Sequence, residues 1–265
     1  MKRCLNLAAL GRGKVSPNPL VGSVVYKDGE IAGEGYHMSY GHAHAEVNAI
    51  VSSQLKDLKG CTLFVNLEPC SHTGKTPPCA DLIIQKNIDS VFIATTDPNP
   101  LVSGNGIRKL VSNGIQVNMG LKESESKNLN KRFFTFYQKK RPYIILKWAQ
   151  SKEGFIGKAN EKVWLSNSYS SRIIHKQRAF EDAILVGRKT FQLDQPALTT
   201  RNWPGQDSVR IVIDPDLKNV YSDNFMENAI IVSKKDIGGG IRYNGDMLDL
   251  GYLMDELWQR NIQSL

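Results

Sequence analysis

The sequence predicts an α/β fold in each of two halves, and three observations carry that expectation. Its 265 residues suffice for two domains at roughly 100–200 residues each. Short stretches of strand period alternate with amphipathic stretches of helix period along the whole chain. The basic run Lys139-Lys140-Arg141-Pro142 breaks the alternation near the middle, so the expected domains are 1–141 and 142–265.

The elements follow in order. An amphipathic helix over about 2–10 is punctuated by Gly11. Residues 21–27 and 30–36 flank Asp28-Gly29, a strong signal for a two-residue hairpin turn. A helix over 45–55 and a strand over 62–66 come next, then a helix opened by Pro77-Pro78, since proline suits a first turn whose N–H groups lack partners. A strand over 90–95, a helix over 107–113, a strand over 115–118 and a charged helix over 123–138 complete a three-layer α/β sandwich. In the second half, strands are expected over 143–148, 183–186, 210–213 and 229–232, with helices over 168–179 and 250–260. Gly238-Gly239-Gly240 reads as a loop, without the spacing of a dinucleotide-binding fingerprint.

Composition narrows the function classes. At 41% hydrophobic and 23% charged residues the chain resembles ordinary globular proteins, which excludes collagen, coiled coil and wholesale disorder. No apolar run approaches the ~18 residues of a membrane span, and the apolar stretch near the N-terminus is too short for a signal peptide, so a cytoplasmic protein is expected. Residues 1–142 carry 18 Lys and Arg against 11 Asp and Glu, whereas residues 143–265 carry 16 against 15. The basic excess thus lies in the first half and suggests an anionic ligand there. No basic run interleaved with aromatics marks a nucleic-acid surface.

The four cysteines, Cys4, Cys61, Cys70 and Cys79, and four of the five histidines lie in that same half. In a reducing compartment such a cluster points to metal or catalytic use. Within it, His44-Ala45-Glu46 is followed by Pro69-Cys70 and, nine residues on, Cys79. One imidazole and two thiolates form a soft donor set suited to Zn²⁺, and three protein ligands leave a fourth position for water, as catalytic sites require. Glu46, two residues from His44, suits general base and general acid work on that water. Zinc nucleobase deaminases carry a comparable H-x-E and P-C-x-x-C pair, with a shorter cysteine step than here. The competing reading is a closed structural zinc site completed by His42, His72 or Cys61.

The residues Ser16-Pro17-Asn18-Pro19-Leu20-Val21-Gly22, Gly35-Tyr36-His37, His44-Ala45-Glu46, the run Glu68 to Cys79 and Asp97-Pro98-Asn99-Pro100 resemble the riboflavin-biosynthesis pyrimidine deaminases. These form the N-terminal half of a bifunctional deaminase/reductase family. The resemblance implies a cytidine-deaminase-like α/β/α sandwich that removes the 2-amino group of 2,5-diamino-6-ribosylamino-4(3H)-pyrimidinone 5′-phosphate by zinc-assisted hydrolysis. It further implies that Asn18, His37, His72, Lys75, Asp97 and Asn99 line the substrate pocket, with Lys75 on the phosphate. The second half resembles the family's NADPH-dependent reductase, of dihydrofolate-reductase-like α/β fold, through Arg178, Asp182-Ala183-Ile184, Gly187 and Asp194 to Arg201 among others. That resemblance puts Trp164, Thr190 and Asp194 on NADP, and Arg178, Leu198 and Arg201 on the ribose-phosphate substrate.

Departures from the family pattern are Ser151-Lys152-Glu153-Gly154 for its usual Ser-Leu-Asp-Gly, and Lys162 for a serine two before the tryptophan. The family also continues beyond the position of Leu265 into a strand and a Val-Glu-Gly-Gly loop that closes the nicotinamide site, so an incomplete reductase domain is expected. Assembly as a homo-oligomer is expected from the family, with a small-molecule substrate and neither nucleic acid nor membrane as partner. The alternatives are a deaminase with an inactive reductase remnant, or a nucleoside or tRNA deaminase.

Overall fold

The structure, a computed structural model, describes residues 1–73, 77–158 and 163–265, which divide into two compact units, Met1–Lys139 and Lys140–Leu265. The first unit opens with α1 (Lys2–Ala8), which tightens into a 3-10 turn at Ala9–Gly11. The hairpin β1 (Gly22–Lys27) and β2 (Glu30–Tyr36) turns at Asp28 and Gly29, both at positive φ, with Lys27 opposite Glu30. Then follow α2 (Ala45–Ser52), β3 (Thr62–Val65), α3 (Cys79–Gln85), β4 (Ser90–Ile93), α4 (Asn105–Ser112), β5 (Gln116–Met119), α5 (Glu123–Leu129) and α6 (Lys131–Lys139).

The sheet runs β2-β1-β3-β4-β5, antiparallel through β3 and parallel from there on. Strand side chains alternate between faces. Val25, Leu63, Val65, Val91 and Ile93 point to the face packed by Ala49 and Ile50 of α2, Ala80 and Ile83 of α3, and Leu110 of α4. Val24 and Phe64 point the other way, onto Cys4 and Leu7 of α1. The expected three layers follow from this two-sided burial. Because β3 and β4 are parallel, with Val65 beside Ile93, the chain leaves both strands at the same sheet end, where open α/β sheets place their ligands.

The second unit holds α7 (Ser168–Arg178), β6 (Ala183–Gly187), α8 (Arg188–Asp194), β7 (Val209–Ile213), α9 (Asp223–Met226), β8 (Ala229–Ser233), β9 (Ile241–Arg242) and α10 (Leu250–Gln259). Its sheet is parallel, in the order β6-β7-β8-β9. Ile211 and Val232 meet Leu253 and Leu257 of α10 on one face, while Val212 and Ile231 meet Phe191 of α8 and Phe225 of α9 on the other.

Two expectations are corrected. The strand over 143–148 is reduced to one bridge, Tyr143 with Ser264, flanked by hydrogen bonds between Tyr143, Ile145 and Leu265. That pairing reaches only Ile145, and Leu146 and Trp148 beyond it are exposed. The helix over 123–138 is two helices, because Asn130 leaves the helix to accept the Leu20 N–H at 2.8 Å and donate to the Leu20 carbonyl at 2.9 Å. Among the described residues no helix is long and apolar enough to cross a membrane.

Candidate active site

Six segments of the first unit build the site. His44 is the extended residue before α2, so its ring stands at the helix start, and Glu46 sits buried in the first turn. Asn48 of α2 fixes this entry by donating to the Tyr36 carbonyl at 2.8 Å. Gly33 and Gly35 of β2 let the helix approach, since a side chain at either would collide with the backbone of α2 or its C-terminal cap. Cys70 lies on the loop after β3, and Cys79 opens α3. The start of α3 folds back on that loop through Cys79 N–H to Cys70 Sγ at 3.3 Å and Ala80 N–H to the Cys70 carbonyl at 3.0 Å.

One potential donor atom each from His44, Cys70 and Cys79 lies within 4.8 Å of the other two, with His44 Nδ1 3.3 Å from Cys79 Sγ and 3.5 Å from Cys70 Sγ. A nitrogen and two sulfurs at this separation fit a zinc ion. Among the described residues His42, His72 and Cys61 do not join them; Cys61 is buried in the apolar core instead. Hydrogen bonds from Cys79 and His44 lower the Cys70 thiol, while the same contact with Cys70 and burial raise Cys79, so the pair favours one thiolate, on Cys70. Burial, aided by the Cys70 charge, pushes the Glu46 carboxyl up to about 7, where it can accept and return a proton near neutrality.

Around this centre, His37 at the end of β2 is buried, with Nε2 3.0 Å from the Asn18 amide nitrogen and Nδ1 3.1 Å from the Ala43 carbonyl. Its ring meets that of His44 edge to face at 5.5 Å. Asp97 is buried on the loop after β4, and its Oδ1 accepts the Asn99 N–H at 2.8 Å. Burial, with the nearby Glu68 and Cys70 charges adding, pushes the Asp97 carboxyl up to about 7. His72 is exposed on the loop between the two cysteines, and Lys75 lies outside the described residues. Sequence reasoning gave no role to Glu68, a buried carboxylate two residues before Cys70 that accepts four backbone N–H groups. The signal available was its place directly before Pro69-Cys70.

In the second unit, Arg178 ends α7 and donates to the Thr199 carbonyl, and Arg201 donates its backbone N–H to His175 Nδ1 at 3.3 Å. Leu198, buried at φ 54, turns the chain ahead of Arg201, and the segment after it is tied to α7 through Arg178 and His175. Among the described residues, Arg178 Nε and Thr200 Oγ1 are buried without hydrogen-bond partners. Burial and the Arg201 charge weaken the hold of Arg178 on its proton. Thr190 and Asp194 are exposed one turn apart on α8, which follows the carboxyl end of β6, whereas Trp164 is 77% exposed on the stretch before α7. Sequence reasoning also passed over His175, the buried acceptor for Arg201.

The family profile described as the cytidine and deoxycytidylate deaminase zinc-binding region matches residues 1–95, and the one described as the RibD C-terminal domain matches residues 142–265. The chain is 43% identical over 242 residues to the riboflavin biosynthesis protein RibD of Aquifex aeolicus, covering 89% of this chain and 68% of that one. It is 45% identical over 202 residues to the Escherichia coli RibD, covering 76% of this chain and 55% of that one. A crystal structure from Thermotoga maritima, described as a diaminohydroxyphosphoribosylaminopyrimidine deaminase/5-amino-6-(5-phosphoribosylamino)uracil reductase, superposes with a TM-score of 0.89 at 40% identity, covering all of this chain and 78% of that one. A RibD structure from Acinetobacter baumannii superposes with a TM-score of 0.91 at 30% identity, covering 99% and 77%. The chain belongs to the RibD family of riboflavin-biosynthesis proteins, with a zinc-binding deaminase region ahead of a RibD C-terminal domain.

Proposed function

We propose that the first unit hydrolyses the 2-amino group of 2,5-diamino-6-ribosylamino-4(3H)-pyrimidinone 5′-phosphate to a carbonyl, releasing ammonia, and that the second unit is an NADPH-dependent reductase domain acting on the ribosyl chain of the product. The observation that carries the reading is the His44, Cys70 and Cys79 donor set within 4.8 Å, with the Glu46 carboxyl buried beside it. Zinc in that set supplies a Lewis acid that brings the pKa of water towards ~7. Glu46 takes a proton from the attacking water as the new C–O bond forms, and returns it to the amine as the C–N bond breaks. Asn18, His37, Asp97 and Asn99 orient the ring by hydrogen bonds, and Lys75 meets the phosphate; His72 stands at the exposed rim.

In the second unit, Arg178 and Arg201 hold the substrate phosphate, and Leu198 shapes the turn ahead of Arg201. Arg178 Nε and Thr200 Oγ1, without partners among the described residues, are polar atoms for such an anion to satisfy. Thr190 and Asp194 offer a hydroxyl and a carboxylate to the hydroxyls of NADPH, with Trp164 against its rings. NADPH, when bound, supplies the hydride. The whole protein works as a homo-oligomer in the cytoplasm.

The test is ammonia release from that substrate by the zinc-loaded chain, with cytidine and adenosine as controls. Release from the pyrimidinone phosphate that stops on chelation and returns with zinc is expected. Equal release after zinc removal, or release from the controls alone, contradicts the reading.

A further inference from the structure

We propose that Glu68 is a positioning residue of the deaminase unit, whose carboxylate locks the Cys70 loop to the Asp97–Asn99 loop and to the start of α4. The inference rests on the deaminase reading above.

Glu68 is 4% exposed, and each of its oxygens accepts two backbone N–H groups. Oε2 takes Asp97 at 3.2 Å and Gly104 at 3.0 Å, and Oε1 takes Gly106 at 3.0 Å and Ile107 at 3.3 Å. A buried carboxylate needs a cation or several donors, and here the donors are main chain, three of them at the N-terminal end of α4, where the helix dipole also favours a negative charge.

Helices ordinarily take such a cap from the residue at their own N-terminus. In α4 that residue is Gly104, which has no side chain to offer, and the carboxylate comes from a loop 36 residues earlier in the chain. Gly106 tightens the joint, because any side chain there would collide with the Pro69 carbonyl. The backbone adds a further tie, with Glu68 N–H donating to the Thr95 carbonyl at 3.0 Å. Pro69 and Cys70 follow Glu68 directly, and Asp97 in turn holds the Asn99 N–H. A shift of the Glu68 carboxylate is therefore transmitted to a zinc ligand on one side and to two substrate-loop residues on the other.

Glu68→Gln tests this in the full chain. The amide keeps one acceptor atom and turns a donor towards two of the four N–H groups. Supporting residues around metal ligands change affinity by about 10–100-fold when altered. The expected result is a loss of zinc affinity of about tenfold or more in chelator competition, together with a comparable rise in KM for the pyrimidinone phosphate. Under saturating zinc and substrate, kcat should change much less than KM. Zinc affinity or KM within about twofold of the parent overturns the proposal, as does a loss confined to kcat or a lower melting temperature with both quantities unchanged. Should Glu68→Gln fail to fold, Glu68→Asp, which keeps the charge but shortens the reach, is judged by the same criteria. A parent chain that does not deaminate contradicts the functional reading instead, and zinc affinity alone then decides the role of Glu68.

Discussion

The Asn18 amide nitrogen lies 3.0 Å from His37 Nε2, while His37 Nδ1 lies 3.1 Å from the Ala43 carbonyl. A carbonyl only accepts, so Nδ1 carries the ring proton and Nε2 accepts from Asn18. The Asn18 amide is thereby held with its NH₂ towards His37, which leaves its oxygen to accept from a donor such as a ring N–H. Burial holds His37 below its ordinary 6.5, consistent with this neutral tautomer. Nitrogen-15 NMR at neutral pH should find the proton on Nδ1, and Asn18→Ala should raise KM about tenfold, equivalent to about 1.4 kcal/mol of binding. A protonated Nε2, or an unchanged KM, contradicts this account of the pair.

Gly35 sets how closely the helix bearing His44 and Glu46 approaches the sheet. A methyl group there would strike the backbone of Asn48 and Ala49, so Gly35→Ala must push α2 outward. Overpacking of this kind costs about 1–3 kcal/mol, and the displacement should weaken zinc binding as well. Chemical denaturation and chelator competition measure the two effects. Full stability with full zinc affinity would mean that α2 is not held by this contact.

His175 makes the Leu198–Arg201 turn sensitive to acid. Burial and the neighbouring Arg178 and Arg201 charges hold the imidazole below its ordinary 6.5, with Asp207 opposing them, and its Nδ1 accepts the Arg201 N–H. A depressed folded-state pKa means that the unfolded chain binds more protons in this range, so the contribution is complete above 6.5 and is lost as pH falls through the folded value. The Arg201 amide should lose its NMR signature of a hydrogen bond over that window. In His175→Gln, whose amide oxygen is an uncharged acceptor, the loss should vanish. A wild-type amide signal indifferent to acid contradicts the assignment.

Local signals carried much of this molecule. The Asp28-Gly29 turn, the alternation along the strands of the first sheet and the motifs His44-Ala45-Glu46 and Pro69-Cys70 are each written within short stretches, and the fold follows them. What the sequence left hidden depends on partners distant in the chain. Asn130 divides a helix because of Leu20, 110 residues away, and periodicity carries no trace of that pair. Glu68 reads as part of a motif until its four donors from the 97–107 segment are seen. His175 sits in a helix like any other polar residue until Arg201 folds over it. The strand expected at 143–148 failed for the complementary reason: a short apolar run was present, but the ladder that would pair it extends only to Ile145.

Glu46 is proposed to move the proton in a deamination supported by zinc on His44, Cys70 and Cys79. The most direct measurement is zinc content and ammonia release of Glu46→Gln, side by side with the parent. One zinc per chain is expected in both proteins, with a fall in kcat of about 10²–10⁴-fold, the usual worth of a positioned general acid and base. A variant that keeps its zinc and still releases ammonia at the parent rate would contradict it.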